Sequence, residues 1–401
     1  MTVRLLIILL AIALIIIPAA ALPTPDEWRG TAVNQFSTLT RDEVDAFISP
    51  LITYNLSKGV IVVLVDRNGY TWYSYGVADI LTGERPDNTT LFDIGSISKV
   101  MTGLLMADAE ARGEFNISAP VNTWLPGDYA PPTYEGLQIT GVDLVTHRSG
   151  LPGVPDRFTE VDPASSEADQ IEESMQHYQT MSADDTYLWL TNTSLMAPPG
   201  YQYLYSNLGA AIAGDIVARA TKIPYPRLLA ERILTPLGMT SSGATWTQDD
   251  LTRRAAGYRS YEYPADEANL ILFNEFWTAT GGVHASGDDM AVYLAAQMGL
   301  LDTPLSSSIA HTHISRAVIT AGPPRMEQGV FWDILYNRDG TTIISKAGET
   351  NAHQAAIAFN KAEQVGVVIL SNTASIGGTH VQEQAVALLE KMHVRMMYPK
   401  Q

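Results

Sequence analysis

Cysteine is absent from this chain, so disulfides, thiolate nucleophiles and thiolate-bound zinc are excluded, and cysteine usage reports nothing about redox compartment. Basic residues are scarce: 25 Lys and Arg stand against 43 Asp and Glu, for a formal charge of −18. A surface of that sign repels nucleic acid, which is not expected as a partner, although a focused basic pocket is compatible with it. The 8 histidines include no His-Glu-x-x-His pair and no other set at ligand spacing, so no metal is expected. No serine stands in Gly-x-Ser-x-Gly, which removes the nucleophile elbow of α/β-hydrolases. Internal repeats, low-complexity tracts and flexible linkers are missing too.

What is present fits one large globular unit or two intimately packed ones: 401 residues, 46% hydrophobic and 17% charged. One long apolar run, Leu5 to Leu22, follows Arg4 and ends in Ala19-Ala20-Ala21 before Pro23. That is the build of a secretory signal peptide over residues 1–21. A retained membrane anchor is the competing reading, because the run just reaches bilayer-crossing length; Pro18 and the alanines favour cleavage. Either way the chain is expected to be exported, with membrane association through residues 5–22 only. Asn55, Asn88, Asn116 and Asn192 head Asn-x-Ser/Thr sequons, for which chance occurrence is the default.

Strand signals sit near both ends. Gly59 to Val65 is a β-branched run closed by Asn68-Gly69 and followed by Tyr70 to Tyr75, a hairpin pattern. Val330–Tyr336, Thr341–Lys346, Gln354–Phe359 and Val365–Leu370 are separated by short polar turns and predict an antiparallel meander. Val381, Ala385, Leu388, Leu389 and Met392 follow at helical spacing, so a last helix should cover one face of the sheet. Between the ends, Met101, Leu104 and Leu105 mark a helix ending near Gly113, and Leu208, Ile212 and Ile216 mark another beginning after Tyr205. The expected fold is α/β (α+β): a central antiparallel sheet built from both termini and flanked by helices, with a mostly helical middle subdomain and a cleft between them. The division implied is an α/β part from 36–135 and 300–395 and a helical part from 136–299.

Three short segments can carry chemistry. In Ser96-Ile97-Ser98-Lys99, serine and lysine lie one helical turn apart on one face, where unpaired N–H groups and the helix dipole stabilise negative charge. Taken alone, Ser96 reads equally as a helix cap. Tyr205-Ser206-Asn207 enters the second helix after Pro198-Pro199-Gly200; a phenol beside ammonium groups ionises below its usual pH 10 and becomes a usable base, while an isolated one is ordinarily an interfacial residue. Lys346-Ala347-Gly348-Glu349 ends a predicted strand; the lysine can line a cleft, the glycine admits close backbone approach, and a plain hairpin turn is the alternative.

In this order and on these elements, the three segments resemble the Ser-x-x-Lys, Tyr-x-Asn and Lys-Thr-Gly set of class C β-lactamases and related penicillin-recognising hydrolases. The likeness extends to Thr82-Gly83-Glu84, Thr90-Leu91-Phe92, Leu144 to Pro152 and Thr280 to Ser286, and covers roughly residues 36 to 395. The resemblance implies Ser96 as nucleophile, Lys99 and Tyr205 as its proton-transfer pair, and Asn207 as the residue orienting substrate and lysine. It further implies Lys346 as an electrostatic group, Gly348 beside the substrate, and the N–H groups of Ser96 and Glu349 as an oxyanion hole. No cofactor is implied. Whether Lys99 or Tyr205 takes the first proton stays open. His147, His284 and His353 fall near such a cleft and are expected to be structural.

Two residues depart from that pattern. Ala347 replaces the usual threonine and Glu349 a small residue, so a hydroxyl for a substrate carboxylate is missing and a like charge is added. The expected activity is hydrolysis of esters, amides or D-amino-acid peptides through an acyl-enzyme, with β-lactams turned over weakly. The alternative is an acylable receptor or scaffold of the same fold that does not turn over.

Overall fold

The computed structural model describes residues 21–31, 38–125, 127, 129–259, 272–322, 324–374 and 380–397; the apolar leader reading over 5–22 lies almost wholly outside them. The strands are β1 (Gly59–Asp66), β2 (Gly69–Gly76), β3 (Leu91–Asp93), β4 (Tyr258–Arg259), β5 (His284–Ser286) and β6 (Ala317–Thr320). They continue with β7 (Arg325–Gln328), β8 (Asp333–Tyr336), β9 (Thr342–Glu349), β10 (Gln354–Asn360), β11 (Val365–Ser371) and β12 (Thr373–Ala374). Eight of them form one sheet in the order β2-β1-β11-β10-β9-β8-β7-β6, and every pairing in it is antiparallel. The sheet is therefore assembled from both ends of the chain, as the pattern of β-branched runs implies.

β1 shows why the sheet is central. Alternate side chains of a strand point to opposite faces, and here both faces are dry. Ile61, Val63 and Val65 enter one core cluster while Val60, Val62 and Leu64 enter the other. Burying each such side chain stabilises the fold by about 1.5–3 kcal/mol. The outer face is covered by the helix Arg41–Thr53, through Val44, Ile48 and Leu51, and by the helix His380–Met397, through Val381, Ala385, Leu388, Leu389 and Met392. The inner face meets the mostly helical middle of the chain, including Ser98–Ala111, Asn207–Thr221, Glu275–Gly281 and Gly287–Gln297. Among the described residues no helix is long and apolar enough to cross a membrane.

Two strands, β6 and β7, go beyond the sequence pattern. They form the far edge of the sheet, where Val318 is 47% exposed, so neither carries a sustained apolar alternation. β8 starts at Asp333 rather than Val330. Val330–Trp332 form a buried bend instead, with Val330 N–H donating to Thr312 O and Phe331 N–H to Val145 O, and Phe331 at φ 61°. β9 in turn runs on to Glu349, so Lys346 and Gly348 lie within a strand and not in a turn.

Candidate active site

Ser96 sits in a short 3-10 turn, Gly95–Ile97, that leads into the helix Ser98–Ala111. It is not a cap: the turn and the helix begin at Ile94 and Ile97, neither with a side-chain capping bond. Its Oγ receives two donors instead, Lys99 Nζ at 2.8 Å and the Tyr205 hydroxyl at 2.7 Å. The one-turn spacing of Ser96 and Lys99 puts the first pair together, and the second comes from 109 residues away. Ser206 caps the helix Asn207–Thr221 by accepting from Gly209 N–H at 2.9 Å, which sets Tyr205 at the helix entrance.

Lys99 is fully buried, and its ammonium also donates to the Thr280 carbonyl at 2.6 Å. Burial lowers its pKa, with Lys346 acting in the same direction and Tyr205 against it. Tyr205 is shifted downward as well. Burial of its hydroxyl raises its pKa, but Lys99, Lys346 and the hydrogen bonds at the hydroxyl together outweigh that. The two ammonium groups lie 5.1 Å and 5.2 Å from the centre of the phenol ring. Tyr205 is 39% exposed, and its hydroxyl donates to Ser96 Oγ. A proton leaving Ser96 thus has two groups within 2.8 Å whose affinities for it have been drawn toward neutrality.

Lys346 and Gly348 project from the inner face of β9, as Ile344 does, while Ala347 and Glu349 alternate to the other side with Ile343. Glu349 is exposed and accepts from Gln354 on β10 at 3.3 Å, turned from the lysine's face. Gly348 is required by proximity: a methyl there would stand 2.0 Å from Ile94 O and 2.7 Å from Ser96 N. Gly95, at φ +50°, has the reciprocal constraint, since its methyl would stand 2.5 Å from Glu349 N. The backbones carrying the Ser96 and Glu349 N–H groups are therefore in direct contact.

Asn207 donates through Nδ2 to the Tyr178 hydroxyl at 2.8 Å, and its buried Oδ1 has no partner. Lys99 is held by the Thr280 carbonyl, not by Asn207, whose buried oxygen keeps an unused acceptor.

Asp333 escapes sequence reasoning, whereas His147, His284 and His353 are expected near the cleft. Asp333 Oδ2 lies 3.6 Å from Lys346 Nζ and raises the lysine's pKa against the effect of burial, the largest influence on it. His147 is fully buried behind Tyr205, ring centroids 4.4 Å apart, and accepts Ser206 N–H on Nδ1 at 3.2 Å. Burial, then Lys346 and Lys99, hold it well below its usual pKa, so it is neutral. His147, stacked on Tyr205, has φ 54° and packs on Phe331 at φ 61°, two left-handed non-glycine residues each costing on the order of 1 kcal/mol. Arg254 pairs with Asp93, just upstream of Ser96, at 3.3 Å, the Asp93 N–H donates to His353 Nδ1 at 2.8 Å, and His284 stacks on Trp246 at 3.9 Å. Among the described residues no group of three or more acidic or histidine side chains is placed to hold a metal ion.

A family model described as Beta-lactamase matches residues 44–390. A "Beta-lactamase" of Pseudomonas fluorescens is 26% identical over 371 residues, covering 84% of this chain and 94% of that protein. The "D-alanyl-D-alanine-carboxypeptidase/endopeptidase AmpH" of Escherichia coli (strain K12) is 27% identical over 270 residues, 65% of this chain and 64% of its own. A class C beta lactamase from Rhodobacter sphaeroides superposes with a TM-score of 0.72 at 23% identity, over 88% of this chain and 99% of that one. A beta-lactamase/D-alanine carboxypeptidase from Yersinia pestis gives 0.72 at 20% identity, over 88% and 98%. At these identities the two superpositions speak to the fold.

Proposed function

The chain belongs to the Beta-lactamase family and is a serine hydrolase, and from that premise we propose that it is an exported enzyme that hydrolyses esters, amides or D-amino-acid peptides through an acyl-enzyme on Ser96. The observation that carries the reading is the convergence of Lys99 and Tyr205 on one serine oxygen, at 2.8 Å and 2.7 Å. With one proton already lost from the Tyr205–Lys99 pair, leaving a phenolate or a free amine, Ser96 Oγ bonds to the substrate carbonyl carbon in the first step and gives its proton to that vacant position. The oxygen, now negative, is held by the N–H groups of Ser96 and Glu349. Collapse breaks the ester or amide bond and returns the proton to the leaving group. Water then attacks the acyl carbon, again losing its proton to the pair, and frees Ser96. Asn207 Oδ1 accepts an N–H of the substrate.

Export rests on the leader pattern at residues 1–21, and the mass of the mature chain tests it: a protein beginning near residue 22 supports cleavage and the full-length mass a retained anchor. Carboxylate-bearing β-lactams are expected to be poor substrates, because position 347 offers no hydroxyl to them. Steady-state hydrolysis of p-nitrophenyl butyrate, a D-alanyl p-nitroanilide and benzylpenicillin, with Ser96→Ala in parallel, tests the whole reading. Turnover of the ester or the anilide above benzylpenicillin, abolished in Ser96→Ala, is the expected result. Turnover surviving the substitution would refute the nucleophile. Labelling of Ser96 that stops at one equivalent would refute turnover and leave an acylable receptor.

A further inference from the structure

Lys346 is a cation on the inner face of β9 beside Tyr205, and its charge is already engaged. Its ammonium lies 3.6 Å from Asp333 Oδ2, on the first residue of β8, the strand paired with β9. With Lys346 only 3% exposed, solvent and salt screen the pair weakly. The other groups around the ammonium are Tyr203, Tyr205, Lys99 and His147. Among these described residues Asp333 is the acidic one. Its second oxygen, Oδ1, is buried without a hydrogen-bond partner, so the carboxylate's charge is not dispersed over N–H donors and is directed at Lys346.

We infer that Asp333 is a specificity-determining residue of this hydrolase: it neutralises Lys346, and so selects substrates with an uncharged leaving group over those with a carboxylate beside the scissile bond. The inference rests on the acyl-transfer reading of Ser96. A carboxylate that reaches Lys346 must share the ammonium with Asp333 and stand beside a like charge in a poorly screened cleft. Ala347 supplies no hydroxyl to offset that repulsion. An uncharged ester or amide meets none of these costs. The pair also has a use for the chemistry. Asp333 raises the lysine's pKa against the effect of burial, and the ammonium lies 5.2 Å from the centre of the Tyr205 ring.

The test compares 3-carboxyphenyl butyrate with 3-carbamoylphenyl butyrate, nearly isosteric esters that differ in leaving-group charge, for the full chain, Asp333→Asn and Asp333→Glu at neutral pH. One charge removed about 6 Å from a substrate carboxylate is worth roughly tenfold at an effective dielectric constant of about 40. Asp333→Asn should therefore raise the anionic-to-neutral ratio of kcat/KM about tenfold, and Asp333→Glu should keep the wild-type ratio. Asp333→Ser serves the same purpose if the asparagine variant does not fold. An unchanged ratio, with the neutral ester still hydrolysed, overturns the role of Asp333 alone, and an equal loss on both esters does so by marking the residue as merely structural. If the wild-type chain hydrolyses neither ester, the hydrolase reading fails and the inference with it.

Discussion

Replacing Gly348 by alanine asks whether contact between two backbones is what makes the cleft work. The added methyl would lie 2.0 Å from Ile94 O and 2.7 Å from Ser96 N, where ordinary contact is about 3.5 Å. Neither obstacle can swing aside as a side chain would. Ile94 N–H donates to Val283 O at 3.0 Å, and Gly348 is in register with Ala355 of β10. The strand and the nucleophile turn must separate by on the order of 1 Å, a shift that reaches the Glu349 N–H next along β9. Loss of one oxyanion donor lowers kcat by about 10²–10³, or roughly 3–4 kcal/mol, and overpacking of this kind costs about 1–3 kcal/mol of stability. The assay is p-nitrophenyl butyrate hydrolysis together with a thermal melt. Gly348→Ala should lose at least about 100-fold in kcat with little change in KM and a drop of a few degrees in Tm. Phosphonate labelling of Ser96 should persist, more slowly. A variant with near wild-type kcat and Tm would refute both the backbone contact and the oxyanion assignment.

Other perturbations test the electrostatics. Lys346→Gln removes one of the two cations that offset the effect of burial on Tyr205, so the phenol becomes less acidic and the acid limb of the kcat/KM–pH profile should move to higher pH; an unmoved limb would clear Lys346 of that role. Asp93 is held below the usual carboxylate range, burial acting upward but outweighed by His353 and Arg254. Its stabilising contribution is therefore present above the unfolded carboxyl pKa of about 3.9 and lost as pH falls below it. Asp93→Asn should destabilise the chain by about 3 kcal/mol at pH 7, and urea melts should show the gap from wild type narrowing at pH 3. An equal gap at both pH values would refute the ion-pair account.

Local spacing was enough for the parts of this protein that depend on near neighbours. The run Val60–Val65, the helical period of Val381 to Met392 and the one-turn offset of Ser96 and Lys99 are each complete within a few residues, so the sheet, its covering helix and half of the nucleophile's environment can be read directly. The order of the three motifs, with their resemblance to a known family, then brought Tyr205 and Lys346 to the same place. What the spacing could not carry was anything set by strand register or by close approach of distant backbones. Asp333 meets Lys346 only through the pairing of β8 with β9, from the first position of β8, where it reaches the lysine although its register partner is Ser345, and nothing in the stretch from 330 to 336 marks its one acidic residue as a counter-ion. The Thr280 carbonyl is chosen over Asn207 to hold Lys99 for the same reason, since a main-chain acceptor leaves no side-chain signature. His147 and Phe331 are recognisable as the backing of the base only once their left-handed backbones have been packed against each other. The chemistry of the site is thus local in its residue types, whereas its charge balance is a long-range property that tertiary packing decides.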